Sequence, residues 1–140
     1  MRSKRILIAY HDPLSARSLS NFLFNSGHII EMAKGVSEAI RMVREGHIYV
    51  ILLDEEIEGV KACDLIPLLK GKSKEVQVIA VTSEESIEGA RPLLGAGIFY
   101  HAVKPVDSEE IRSAVDCAFE KIERENIKED LFPYSEWVTA

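Results

Sequence analysis

The sequence predicts an α/β domain in which a parallel β-sheet is covered by helices on both faces. Short apolar runs alternate along the chain with longer segments whose apolar residues recur at helical spacing. The runs are apolar almost throughout, which is typical of strands buried on both faces of a parallel sheet. The 140 residues suffice for one domain with a sizeable core.

Each predicted strand is an apolar run bounded by polar or turn-forming residues. The five runs cover residues 5–10, 28–33, 47–54, 76–82 and 98–105. The helices are predicted from caps and breakers between these runs. Asp12 caps a first helix that begins at Pro13 and stops at Gly27, and Ser37 caps a second that ends at Gly46.

Three further helices complete the alternation. A third helix is predicted over 61–70, where Pro67 delays its start or kinks it. A fourth covers about 85–95, and a fifth runs from a cap at Asp107 or Ser108 to about 125. Residues 1–125 are therefore expected to form the domain and 126–140 a C-terminal tail. The tail carries Leu131, Phe132, Tyr134 and Trp137, and we expect it either to fold back on the domain or to dock on a partner.

Composition excludes several classes of function. The net charge of −6 and the scattered basic residues argue against direct nucleic-acid binding. No apolar run approaches the length of a membrane span, and the run after the basic start is too short for a signal sequence. Cys63 and Cys117 match no zinc or redox spacing. We therefore expect a cytoplasmic protein that does not bind membranes.

Polar residues end three of the predicted strands. Asp54 ends the third strand, Thr82 the fourth, and Lys104 the fifth. In an open α/β sheet, ligands bind outside the carboxyl ends of the strands, so these side chains are expected at one rim. A carboxylate can attack a phosphoryl group, and a hydroxyl and an ammonium can hold its oxygens.

The same segments carry a resemblance to a known family. YVILLDEEIEG (49–59), VIAVTS (78–83) and AGIFYHAVKPVD (96–107) resemble the receiver domain of two-component response regulators, over residues 4–122. The resemblance implies a flavodoxin-like, doubly wound sheet of five strands in the order 2-1-3-4-5, with five helices. It also implies a cis peptide bond before Pro105.

The resemblance assigns a role to each of four residues. Asp54 is the expected phosphoacceptor, Thr82 the switch hydroxyl, Lys104 the phosphate contact, and His101 the rotamer-switch position. The expected phosphodonor is a sensor histidine kinase or a phosphotransfer protein. A downstream protein would bind the face formed by helix 4, strand 5 and helix 5, and a homodimer is also compatible with the family. Any enzymatic activity would be limited to self-catalysed phosphoryl transfer and autodephosphorylation.

The sequence departs from the family at the metal site. The family binds Mg²⁺ with two adjacent acids after strand 1, the phosphoacceptor Asp54, and a backbone carbonyl that falls on Glu56. Tyr10 and His11 stand at the positions of the acid pair. Asp12 could replace an acid only if the chain slips by one residue. Since Mg²⁺ prefers hard oxygen ligands, we expect weak Mg²⁺ binding and a direct Asp54–Lys104 ion pair.

Several residues near this site have more than one possible role. His11 is either a polar residue at a strand end or a titratable group able to bind a transition metal. Glu58 replaces the family's loop proline, and Glu55 and Glu56 are either solvated loop charges or contributors to the rim.

The main alternative function is that of a pseudo-receiver, which would act as a protein-interaction module without phosphorylation. An FMN-binding carrier would need a Ser/Thr/Gly-rich loop after strand 1, which HDPLSARS does not supply. A dehalogenase-type phosphatase would need an aspartate at position 56, where this chain has Glu56.

Overall fold

The computed structural model describes residues 5–131, with the side chains of residues 5–126. The strands are β1 (Arg5–Ala9), β2 (Ile29–Ala33), β3 (Val50–Asp54), β4 (Glu56–Ile57), β5 (Val60–Lys61), β6 (Gln77–Thr82) and β7 (Tyr100–Val103). The helices are α1 (Pro13–Asn25), α2 (Val36–Arg44), α3 (Ala62–Lys72), α4 (Ile87–Ala96) and α5 (Ser108–Leu131). The predicted alternation of strands and helices is confirmed.

The main sheet has five parallel strands in the order β2-β1-β3-β6-β7. Apart from the two short strands β4 and β5, this is the predicted order 2-1-3-4-5. The direction of winding reverses between β1 and β3, which is the topological switch point of the sheet. The carboxyl ends of β1, β3, β6 and β7 therefore face one rim.

Side chains alternate between the two faces of the sheet and form two core layers. Ile6, Ile8 and Tyr10 belong to the layer that packs against α1 and α5. Leu7 and Ala9 belong to the layer that packs against α2, α3, α4 and Ile57 at the end of β4. Burial on both faces explains why the strands are apolar almost throughout.

The segment after β3 is a hairpin, where the sequence had predicted only a loop. β4 and β5 pair antiparallel, with Glu56 opposite Lys61 and Ile57 opposite Val60. Glu58 and Gly59 form the turn with φ of 51° and 81°, as a type I′ turn requires. Proline cannot adopt a positive φ, so the family's loop proline is incompatible with this turn.

Two helix starts differ from the prediction. α2 begins at Val36 after an N-cap at Gly35, and the predicted cap at Ser37 is wrong. The Val36 N–H instead donates to Glu58 Oε1 at 2.6 Å, so a residue of the hairpin caps the helix. A Cβ at position 35 would lie 2.4 Å from the same oxygen, so a larger residue there would displace the Glu58 carboxylate from the start of the helix. α3 begins at Ala62 and continues through Pro67, so its start is not delayed.

Burial explains the helix that contains Pro67. Leu65, Ile66 and Leu69 are fully buried on its inner face. Each contributes about 1.5–3 kcal/mol of hydrophobic stabilisation, which together outweighs the roughly 3 kcal/mol cost of an internal proline.

The last helix is longer than predicted. α5 extends to Leu131, six residues beyond the expected end at about 125. The sequence NIKEDL contains no glycine or proline, and the next proline is Pro133, so nothing in it breaks the helix. Part of the predicted tail is thus helical. Phe132, Tyr134 and Trp137 lie outside the described residues, so docking of the tail stays a prediction.

Two smaller expectations concern the described residues alone. None of the helices within residues 5–131 has the length and apolar character needed to cross a bilayer. Cys63 and Cys117 are both free thiols.

Candidate functional site

Asp54 is a buried carboxylate at the end of β3, where its side chain is surrounded by donors. Oδ1 accepts hydrogen bonds from Lys104 Nζ at 2.7 Å and from the Glu55 N–H at 2.8 Å. Oδ2 accepts one from the His11 N–H at 3.0 Å. A buried charge needs partners of this kind, and here both oxygens have them.

Lys104 supplies the positive charge of the site from the segment after β7. The peptide bond from Lys104 to Pro105 is cis, as predicted, and the Lys104 N–H donates to the Thr82 carbonyl at 2.7 Å. Burial opposes the charged amine, but the hydrogen bond and charge of Asp54, with the charge of Glu55, outweigh it and raise the pKa of Lys104. The expected Asp54–Lys104 ion pair is present.

Thr82 and His101 are joined directly. The Thr82 hydroxyl is buried at the end of β6, and its Oγ1 lies 2.6 Å from Nε2 of the half-buried His101. The same oxygen accepts a hydrogen bond from the Glu84 N–H at 3.0 Å. The hydroxyl and the predicted rotamer-switch residue are therefore one hydrogen-bonded unit.

The end of β1 is chemically different. Tyr10 is only 7% exposed and belongs to the core layer between the sheet, α1 and α5. Its hydroxyl is buried and has no hydrogen-bond partner among the described residues. Burial and the nearby Asp54 charge both raise the pKa of Tyr10, so the phenol stays neutral.

His11 and Asp12 follow on the surface. The His11 side chain is exposed at the rim, while its backbone N–H points at Asp54. Asp12 is the N-cap of α1, where it accepts from the Leu14 N–H at 3.2 Å and from the Ser15 hydroxyl at 2.7 Å. The hydrogen bond from the Ser15 hydroxyl is the main reason that the pKa of Asp12 is lowered. Asp12 is thus a cap, and the slip that would make it a metal ligand does not occur.

A cleft of about 210 Å³ opens beside Asp54. Its lining comprises His11, Asp54, Glu55, Glu56, Glu58, Gly59 and Lys104. Within residues 5–126, no three side chains of His, Cys, Asp or Glu are grouped so as to hold a metal ion. Asp54 is already committed to three donors, and Glu56 could contribute its backbone carbonyl. This donor set does not fit the family's Mg²⁺ site, which needs several oxygen ligands.

Glu55 takes part in the site in a way that the sequence alone did not predict. Its Oε2 accepts from the Ser83 N–H at 2.8 Å and from the Ser83 hydroxyl at 2.9 Å. Its Oε1 lies 3.6 Å from Lys104 Nζ. The hydrogen bond from the Ser83 N–H is the largest reason that the pKa of Glu55 is lowered. The signal available was that Glu55 and Ser83 each follow a strand-ending polar residue on neighbouring strands.

Comparisons with known proteins point to one family. The model of the response regulator receiver domain family matches residues 6–116. Sporulation initiation phosphotransferase F of Bacillus subtilis is 28% identical over 116 residues, which cover 82% of this chain and 93% of that protein. Transcriptional regulatory protein CitT of Halalkalibacterium halodurans is 28% identical over 98 residues, which cover 69% of this chain but 43% of that protein. The chain thus spans less than half of that longer regulator.

Solved structures have the same fold. A CheY-like receiver domain protein from Methanospirillum hungatei superposes with a TM-score of 0.81 at 23% identity, covering 88% of this chain and 98% of that one. The beryllofluoride-activated NtrC4 receiver domain gives 0.79 at 27% identity, covering 85% and 98%. Receiver domains typically use Mg²⁺ and interact with histidine kinases or phosphotransfer proteins. Because the family model matches residues 6–116 and the fold agrees, this chain belongs to the response regulator receiver domain family.

Proposed function

We propose that the protein is a phosphoaccepting receiver in which Asp54 takes a phosphoryl group from a sensor histidine kinase or a phosphotransfer protein. An Asp54 carboxylate oxygen attacks phosphorus, the P–N bond to the donor's histidine breaks, and its electron pair stays on the imidazole nitrogen, which takes up a proton. Lys104 Nζ offsets negative charge on the transferred oxygens.

The observation that carries this proposal is the Asp54–Lys104 pair. Asp54 is 3% exposed and lies at the switch-point rim, with its Oδ1 2.7 Å from Lys104 Nζ. A buried ion pair adds little net stability to a fold, because removing both charges from water costs much of the free energy that their attraction supplies. A carboxylate and an amine that line a cleft at the carboxyl ends of the strands suit phosphoryl transfer better than they suit a core.

We further propose that Mg²⁺ binds weakly here. Tyr10 lies in the core and His11 offers an exposed imidazole, so neither supplies the oxygen ligands that Mg²⁺ prefers. The charge of Lys104 then takes over part of the neutralisation that the metal provides in other receivers, and phosphorylation is slow.

The response to phosphorylation would start at Thr82 and His101. Movement of the Thr82 hydroxyl towards a phosphoryl group breaks its hydrogen bond to His101, which then becomes free to change rotamer. This would alter the face formed by α4, β7 and α5, where Ile87 and Leu94 are 79% and 59% exposed. We propose that a downstream protein, or a second copy of the chain, binds this face in the cytoplasm, and that nucleic acid does not.

The test is chemical labelling. The protein is incubated with phosphoramidate and Mg²⁺, and the product is assayed for a phosphate that hydroxylamine releases, as an acyl phosphate requires. We expect slow labelling that Asp54→Asn abolishes. Labelling that survives Asp54→Asn, or none after long incubation of the unaltered protein, would contradict the proposal.

The burial of Tyr10 favours one other function, a pseudo-receiver that binds partners without being phosphorylated. Restoration of the acid pair (Tyr10→Asp with His11→Asp) separates the two. For a slow phosphoacceptor, we expect at least about a tenfold gain in labelling rate, since a bound divalent ion stabilises transition-state charge by several kcal/mol. Because Tyr10→Asp places a carboxylate near the core, His11→Asp alone is the companion variant with less risk to folding.

A further inference from the structure

The Glu55 carboxylate bridges three strands of the sheet at the rim. It follows Asp54 at the end of β3, accepts two hydrogen bonds from Ser83 beyond β6, and approaches Lys104 beyond β7 at 3.6 Å. Glu55 is half-buried, with a side chain 40% exposed, so it can also leave this position for solvent.

The groups that Glu55 engages are those nearest to an anion attached to Asp54. Lys104 Nζ already contacts Asp54 Oδ1 at 2.7 Å. Asp54 pairs with Val81 in the parallel register, so the backbone of Ser83 lies just beyond Asp54 on the neighbouring strand. An N–H at a strand end and an ammonium are typical donors for phosphoryl oxygens.

Glu55 also borders the space beside Thr82. It lines the cleft that contains Asp54 and Lys104, and it lines a second cleft of about 410 Å³ that contains Thr82. Glu55 thus borders both the Asp54 carboxylate and the Thr82 hydroxyl, the two groups that the proposed switch would bring together.

We propose that Glu55 is an internal anion that occupies the phosphoryl-binding donors while Asp54 is unmodified. A phosphoryl group on Asp54 must displace it from Ser83 and share Lys104 with it. This inference rests on the proposed function and deepens it: Glu55 sets how readily the site accepts an anion. The carboxylates of Asp54 and Glu55 lie 2.7 Å and 3.6 Å from Lys104 Nζ. The positive charge of Lys104 is therefore already balanced when a phosphoryl group arrives.

The test measures anion binding apart from phosphorylation. Inorganic phosphate is titrated into Mg²⁺-free protein, and the Ser83 amide is followed in ¹H–¹⁵N spectra of the unaltered chain and of Glu55→Gln. Glutamine keeps the size and a carbonyl acceptor for the Ser83 N–H but removes the charge. The matched control is Glu85→Gln, which removes the same charge from an exposed residue of the β6–α4 loop.

We expect Glu55→Gln to bind phosphate at least about tenfold more tightly than the unaltered chain, because a like charge a few ångströms from the anion is removed. Glu85→Gln should change the affinity by less than about twofold, since exposed charges are screened. Equal affinities for Glu55→Gln and the unaltered chain would overturn the inference. So would a Ser83 amide that does not shift on Glu55→Gln before phosphate is added.

Labelling by phosphoramidate then separates this inference from the proposed function. Faster labelling of Glu55→Gln than of Glu85→Gln supports both. If neither variant nor the unaltered chain is labelled at Asp54, the proposed function fails, while the phosphate titration still decides whether Glu55 occupies the donors.

Discussion

Two parts of the same rim differ in chemistry. At the ends of β3, β6 and β7, Asp54, Thr82 and Lys104 stand where the sequence placed them, and Asp54 is joined to Lys104 by a hydrogen bond of 2.7 Å. At the end of β1, Tyr10 is buried in the core and His11 is exposed, so the two residues that follow this strand offer Asp54 no carboxylate. The rim thus has hydrogen-bonded polar side chains at the ends of β3, β6 and β7, whereas the end of β1 offers Asp54 a backbone N–H.

The two parts of the rim also differ in how negative charge is balanced. Where adjacent acids repel each other, a metal ion relieves the repulsion. Here Asp54 is neutralised by Lys104 and by two backbone N–H groups, those of Glu55 and His11. We propose that Tyr10 and His11 deprive a metal ion of oxygen ligands and also remove part of the repulsion that the ion would relieve.

The largest expected effect concerns Asp54→Asn, which tests whether this carboxylate is stabilising. An amide has one acceptor oxygen and cannot satisfy all three donors, so we expect a loss of about 1.5–3 kcal/mol in the free energy of unfolding. Urea unfolding measures it. Asp64→Asn, which neutralises an exposed aspartate of α3, should change stability by less than about 0.5 kcal/mol. A site dominated by carboxylate repulsion predicts the opposite sign, a gain in stability for Asp54→Asn.

A smaller effect is expected at the switch pair. His101→Phe removes the 2.6 Å contact with the Thr82 hydroxyl, and we expect a loss of about 1 kcal/mol. A double-mutant cycle with Thr82→Ala isolates this contact from the packing of the ring. A coupling energy indistinguishable from zero would show that the two side chains act independently.

The smallest effect distinguishes Tyr10 as a core residue from Tyr10 as a site residue. Tyr10→Phe removes a buried hydroxyl that has no partner in the described part of the chain, so stability should rise by up to about 1 kcal/mol. The control is Tyr100→Phe, which removes a hydroxyl that donates to Glu110 at 2.6 Å, and a loss of about 0.5 kcal/mol is expected. Destabilisation by Tyr10→Phe would mean that the hydroxyl is hydrogen-bonded, for example to water at the rim.

Much of the fold could be predicted from sequence because apolar runs and caps are local signals. Asp12 before Pro13 predicted the start of α1, and the strand-ending residues Asp54 and Thr82 predicted the rim. The start of α2 could not be predicted in this way. The Val36 N–H at its start donates to Glu58, 22 residues further along the chain, so this hydrogen bond exists only once the hairpin has folded against the helix.

The candidate site shows the same limit. The ends of the predicted strands indicated which polar residues share the rim, and the resemblance implied the role expected of each. The contact between Glu55 and Ser83 joins residues 28 apart and depends on side-chain conformation, which no spacing rule encodes. The burial of Tyr10 follows from the period of two along β1, but its lack of a hydrogen-bond partner is a property of the packed core.

Calorimetric titration of Mg²⁺ into the unaltered protein and into His11→Asp shows whether the end of β1 decides metal binding. Position 11 is exposed and lines the cleft beside Asp54, so the substitution adds an oxygen ligand without disturbing the core. We predict no saturable binding by the unaltered protein in the millimolar range and saturable binding by His11→Asp. Saturation of both proteins over the same concentration range would contradict the claim that the end of β1 has lost its part of the metal site.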